Sequence, residues 1–207
     1  FDTDTAVNLV NQYFAKVPKA TKPVPRDIPQ EPKHTKEKRV TVEQPWPLPA
    51  VVVAYHVPYN GHPDSYPMFI MSKTLSDGQT SRIYRRLVYD SGLALTAFGS
   101  GNFLEQPSLF YAVALVNPGQ SVDAVEKALI AEFDKLKADG ITDRELQRAK
   151  NQFARDYILS RQSIKGKASQ LGHAEVIQKD MESADGEFDT FLRQTTDDIK
   201  RVARQYF

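Results

Sequence analysis

Eight of the thirteen prolines of this 207-residue chain fall between Pro18 and Pro49, and no other feature limits the fold as much. Proline inside a helix removes a hydrogen bond and clashes with the preceding turn, so no long helix crosses this stretch. The charged run Lys33–Arg39 lies among those prolines and leaves little apolar surface to bury. The chain should therefore divide into a helical piece over residues 1–17, an extended linker over 18–36 and a main domain over 37–207. Asp2 to Val17 reads as an amphipathic helix, with Val7, Val10, Tyr13 and Phe14 on one stripe and Asp2 or Thr3 as its N-cap. Arg39 to Glu43 alternates as a short strand leading into the main domain would.

From Ala50 the pattern becomes dense. Ala50 to Val57 is β-branched, apolar and bounded by proline on both sides, which predicts a buried strand at the centre of a sheet. Asp64 or Ser65 can cap a helix to about Leu75, and a second helix is expected from Thr80 to about Asp90, stopped by Gly92. Leu95 to Gly101 and Ser108 to Val116 read as the two strands of an antiparallel hairpin. Val122, Val125, Leu129, Ile130, Phe133 and Leu136 keep the helical period from Ser121 to a stop at Gly140. Thr142 with Glu145 makes a capping box for a helix through Arg161, and further helices are expected over Lys167 to Lys179 and Thr196 to Tyr206. Helices gathered after a mainly antiparallel sheet predict an α+β fold with the helices on one face.

Several function classes are disfavoured. The net charge of +1 supplies no field to attract nucleic acid or an anionic membrane. The longest apolar run, Ala50 to Tyr55, is far short of the roughly 20 residues of a membrane helix, so no membrane insertion is expected. The first residues lack the basic start and apolar core of a signal peptide, so any export signal is expected to lie outside this sequence. Without cysteine there is no disulfide or thiolate metal site.

The four histidines, His34, His56, His62 and His173, include no pair three or four residues apart on a helix, the spacing that lets two imidazoles share a zinc. His56 and His62 flank a turn and can meet across it, with Asp64 the one nearby carboxylate. No Gly-x-Ser-x-Gly elbow follows a strand, and Gly78-Gln79-Thr80-Ser81 has one glycine where a phosphate loop needs several. Asp197-Asp198 sits in a helix first turn, where it complements the dipole. The unusual cluster is Arg82, Arg85 and Arg86 with Tyr84 and Tyr89. Helical spacing puts Arg82, Arg85 and Tyr89 near one face. That face reads either as solvated surface with snorkelling arginines or as a peptide contact in which Arg82 and Arg85 bond substrate carbonyls or carboxylates.

The run Leu75-Ser76-Asp77-Gly78-Gln79-Thr80-Ser81-Arg82-Ile83-Tyr84-Arg85-Arg86-Leu87-Val88, then Ser91-Gly92-Leu93-Ala94, resembles the second half of pitrilysin/insulinase-type metallopeptidases. Asp64 to Ile70, Ala112 to Gly119 and Gly140 to Lys150, with its threonine, Glu-Leu and Ala-Lys, are similar to further segments of that family. Phe1-Asp2 and Tyr13-Phe14 through Pro18 look like the end of the family's preceding half-domain. On this resemblance the chain begins inside one half-domain and ends before the last strand of the next.

The resemblance implies a clam-shell of α+β units in which one half carries zinc on His-x-x-Glu-His and the other closes over a peptide. This sequence has no His-x-x-Glu-His. The chain alone is thus expected to be inactive and to hold no cofactor, with zinc in a catalytic partner half or subunit. The family's second halves often place an arginine and, seven residues on, a tyrosine against substrate. The matching positions here are Val88 and Leu95, both apolar. Expected partners are that catalytic half and a peptide, in a bacterial periplasm. A non-enzymatic scaffold relative is the alternative, and a peptide-binding module independent of proteolysis a third.

Overall fold

The computed structural model describes the whole chain except Phe1, Val24, Arg26 and residues 30–34. His34, one of the four histidines weighed above, therefore lies outside the described residues. Two compact units form, Phe1–Gln44 and Pro45–Phe207. In the first, α1 (Thr3–Phe14) is capped by Asp2, whose carboxylate accepts from the Thr5 amide at 2.7 Å. Its apolar stripe of Val7, Val10, Tyr13 and Phe14 stays exposed. The strand expected over Arg39 to Glu43 does not form. Val40 and Val42 are both exposed and no strand among the described residues pairs with them, so the alternation buries nothing there.

In the second unit, β1 (Ala50–Val57), β2 (Ala94–Gly101) and β3 (Ser108–Val116) make an antiparallel sheet in the order β1-β3-β2. β1 is thus an outer strand and β3 the central one, contrary to the expectation from the apolar run at Ala50. The alternating burial of β1 gives the reason: Val51, Val53, Tyr55 and Val57 turn inward, whereas Val52, Ala54 and His56 are exposed on the other face. Hairpin β2–β3 has the expected pairing, with a bulge between Ala94 and Thr96.

One face of the sheet carries the helices. α2 (Ser65–Leu75), α4 (Val122–Asp139) and α8 (Thr196–Tyr206) pack against it, and α5 (Asp143–Ser160) and α7 (Ser183–Leu192) pack on α2 as an outer layer. α3 (Arg82–Tyr84) runs straight into a π-helical turn, Arg85–Asp90, and α6 (Ile164–His173) into another, Ala174–Gln178. The core joins Phe110, Ala112 and Ala114 of β3 to Met68 and Ile70, to Leu129 and Phe133, and to Ile199 and Val202, all fully buried. Rings of Tyr55, Phe110, Phe133 and Phe207 close one end with centroids 4.9–6.1 Å apart. The helix at Ser183–Leu192 was not anticipated. Its Phe188 and Phe191 stack on Phe153, at 5.8 and 4.3 Å.

Candidate functional site

The face of the sheet opposite the helices is bare within this unit. Its outward side chains form cross-strand rows set by the register: Val52, Val113 and Phe98 in one, Ala54, Tyr111 and Ser100 in the next. Val52 is 61% exposed, Phe98 49% and Leu95, at the bulge, 46%. Antiparallel sheets with one solvated face normally alternate apolar-in and polar-out. Here the strands AVVVAYHV, ALTAFGSG and SLFYAVALV carry no aspartate, glutamate, lysine or arginine on either face. An apolar open face of this kind is a candidate surface for contact with another molecule or domain.

Close packing behind that face fixes its shape. A Cβ on Gly99 would meet the Tyr111 carbonyl oxygen at 2.5 Å, so only glycine lets β2 approach β3 there. The Gly99 carbonyl accepts from Ser76 Oγ at 2.9 Å, clipping β2 to the end of α2.

The helix after Thr80 borders the same strand. Ser81 accepts from the Tyr84 amide at 3.4 Å, which makes this segment a helix cap. The π-helical turn then changes the period from four to five, so the Tyr84 and Tyr89 rings meet at 5.4 Å. Ser91 closes the turn by donating its hydroxyl to the Arg86 carbonyl at 2.7 Å. The two arginines singled out from the sequence separate here. Arg82 Nε and Nη2 each donate to Glu145 at 2.7 Å, a bidentate pair between α3 and the start of α5. Arg85 is 73% exposed, with Asp90 at 3.8 Å. Glu145 also accepts from the Thr142 amide at 2.8 Å and completes the capping box. Burial pushes the Glu145 carboxyl up, but Arg82 and Thr142 outweigh it, and its pKa falls to about 2. Val88 lies partly buried against the core, and Leu95 faces out at the bulge.

The histidines do not converge. His56 points outward on β1 beside Leu109. His62 Nδ1 accepts from the Asp64 amide at 3.1 Å, and His173 Nε2 lies 3.0 Å from Asn60 Nδ2. Among the described residues no three His, Asp or Glu side chains are placed to share a metal ion, so the donors present do not fit zinc. Asp64, at the N-cap of α2, caps nothing. Its carboxylate accepts from Arg201 at 2.7 Å and from the Tyr206 hydroxyl at 2.8 Å, fastening α8 to α2. Burial raises that carboxyl, and the bonds from Arg201 and Tyr206 more than offset it, so it lies below its ordinary value.

Known proteins of this shape place the chain. Residues 1–153 match the model of the peptidase M16 inactive domain. Zinc protease PqqE of Helicobacter pylori is 29% identical over 187 residues, which cover 90% of this chain and 42% of PqqE. The crystal structure of a protease from Helicobacter pylori superposes with a TM-score of 0.92 at 27% identity, covering all of this chain and 50% of that one. The periplasmic protease PqqL of Escherichia coli shares the fold, with a TM-score of 0.75 at 16% identity over all of this chain and 23% of PqqL. The chain thus spans half or less of the length of these relatives. An α+β unit with one open sheet face, no set of zinc donors among its described residues and a family match over most of the chain belongs to the peptidase M16 inactive-domain family, the non-catalytic half of pitrilysin/insulinase-type metallopeptidases.

Proposed function

We propose that this chain serves a zinc endopeptidase as the half that encloses and holds the peptide, while a catalytic partner half or subunit supplies the zinc and its bound water. The carrying observation is the open sheet face, apolar where solvent alone would favour polar residues. Outer strand β2 adds main-chain donors and acceptors with which an extended peptide can pair. Of the two candidate arginines, Arg85, 73% exposed with Asp90 at 3.8 Å, is the one that can reach a peptide main-chain carbonyl, and Arg82 would act through the helix it anchors. Residues 1–17 fit the last helix of a preceding half-domain, residues 18–36 a linker and residues 37–207 the inactive domain. The periplasmic naming of PqqL supports the same compartment for this chain.

The apolar pair Val88 and Leu95, where the resemblance places arginine and tyrosine, favours a second reading, a scaffold relative that hydrolyses nothing. Cleavage of an unfolded peptide by the zinc-bearing half, with and without this chain, separates the two. A rate that rises at least tenfold with the chain supports enclosure. An unchanged rate overturns it in favour of the scaffold.

A further inference from the structure

We propose that the open sheet face selects what it holds, taking an extended, uncharged peptide segment rich in apolar side chains and rejecting acidic or basic stretches. This rests on the enclosing role just described and names its substrate class.

The size of the face decides between occupants. Three strands about 4.8 Å apart and about eight residues long at about 3.3 Å each give an area on the order of 380 Å². A stable protein–protein contact needs about 800 Å² from each partner, so a folded partner or a second copy would be held poorly by this surface alone. An extended peptide of about six to eight residues matches it in length.

The chemistry decides the kind of peptide. A carboxylate or ammonium laid on this face loses hydration, and no strand residue offers it a counter-ion. An aliphatic or aromatic side chain loses nothing there and gains contact with Val52, Phe98, Leu109 and Tyr111. The relief of the face adds a spatial preference. Ala54 and Ser100 are small and flank Tyr111 in the middle row, whereas the adjoining row of Val52, Val113 and Phe98 is bulky. A dip therefore lies on each side of the Tyr111 ring, bounded by Phe98 on β2 and by Val52 and His56 on β1. Alternate side chains of an extended peptide point to one face, so an apolar residue at every second position meets the sheet.

The test uses the assembled peptidase, this chain with its zinc-bearing half, and fluorogenic peptides whose central segment alternates leucine or phenylalanine with serine. Two further peptides replace the apolar positions with glutamate or with lysine. The wild type is expected to favour the apolar peptide by at least tenfold in kcat/KM over both charged ones. Phe98→Glu should lose that preference and gain at least threefold for the lysine peptide. Ser100→Phe, which fills one dip without adding charge, should weaken the apolar peptide through KM with kcat retained. Equal rates for all three peptides, or a preference untouched by both variants with melting temperatures preserved, overturn the proposal while leaving the enclosing role intact. Loss of the chain's effect on every peptide instead removes the enclosing role itself. A dimer of the chain in sedimentation that dissociates with Phe98→Glu assigns the face to self-association and also overturns the proposal.

Discussion

Replacing Glu145 by glutamine tests whether Arg82 is structural or a substrate contact. The Glu145 carboxylate receives both Arg82 donors and the Thr142 amide, and its pKa falls from 4.5 to about 2. At about 1.4 kcal/mol per pKa unit the shift corresponds to roughly 3 kcal/mol. The side chain is 21% exposed, and screening by solvent brings the expected loss nearer to 2 kcal/mol. For a domain of this size that lowers the melting temperature by about 4–8 °C near neutral pH. The folded pKa is depressed, so the contribution is present above pH 4.5 and is lost as pH falls toward 2. The gap between wild type and Glu145→Gln should therefore be full at pH 6, clearly smaller at pH 3 and closed near pH 2, as read by calorimetry or by urea midpoints. A gap that stays constant from pH 6 to pH 3 refutes the pairing argument. Arg82→Lys, which cannot form the bidentate contact, should lose about half as much stability. If it leaves melting unchanged but weakens peptide binding, Arg82 is a contact residue after all.

Phe133→Ala removes the ring shared by Tyr55, Phe110 and Phe207 and should cost about 3–5 kcal/mol in urea unfolding. Gly99→Ala forces a Cβ toward the Tyr111 carbonyl; a loss of about 1–3 kcal/mol is expected, and amide exchange should quicken along β2 and β3. Burial and the Asp64 carboxylate push the Tyr206 hydroxyl up to about 12 from an ordinary 10. Its contribution is complete below pH 10 and lost as pH rises through 12, so Tyr206→Phe should remove the latest step in the alkaline absorbance titration and cost about 1 kcal/mol at neutral pH. Elemental analysis of the purified chain should find no stoichiometric zinc; one tightly held ion lost on changing His56 and His62 together would contradict the reading of its donors.

What the sequence disclosed depended on whether a signal was local. α4 and α5 were visible from an amphipathic period and a start signal, and the box read at Thr142–Glu145 forms, whereas Ser121 makes no side-chain cap bond and the box at Thr195–Asp198 that opens α8 went unread. The β2–β3 hairpin was visible for the same reason, two alternating runs joined by a short connection. The position of β1 was not. An apolar strand reads as central whether its second face is buried in the protein or reserved for something else, and here the misreading and the candidate site have one cause. α7 was hidden because Gly186 and its acidic neighbours look like a loop, and its aromatic partner Phe153 lies far away in sequence. The pairing of Arg82 with Glu145 joins residues on separate helices, so spacing along either helix says nothing of it. Nor does composition distinguish a π-helical turn at Arg85–Asp90 from an ordinary one, since the extra residue shows only in the hydrogen-bond period.

The strand order β1-β3-β2 also sets an order of events during folding. Gly101 and Phe110 close a loop of under ten residues, whereas pairing Val57 with Ser108 closes one of roughly fifty. That difference adds about 1.5 kcal/mol of closure entropy. The hairpin can therefore act as a template, with β1 arriving last, once α2 and α3 have condensed between them. Changes confined to β1 should then quicken unfolding far more than they slow refolding. Residence time in the native state would then be governed at β1, one of the two outer strands of the sheet.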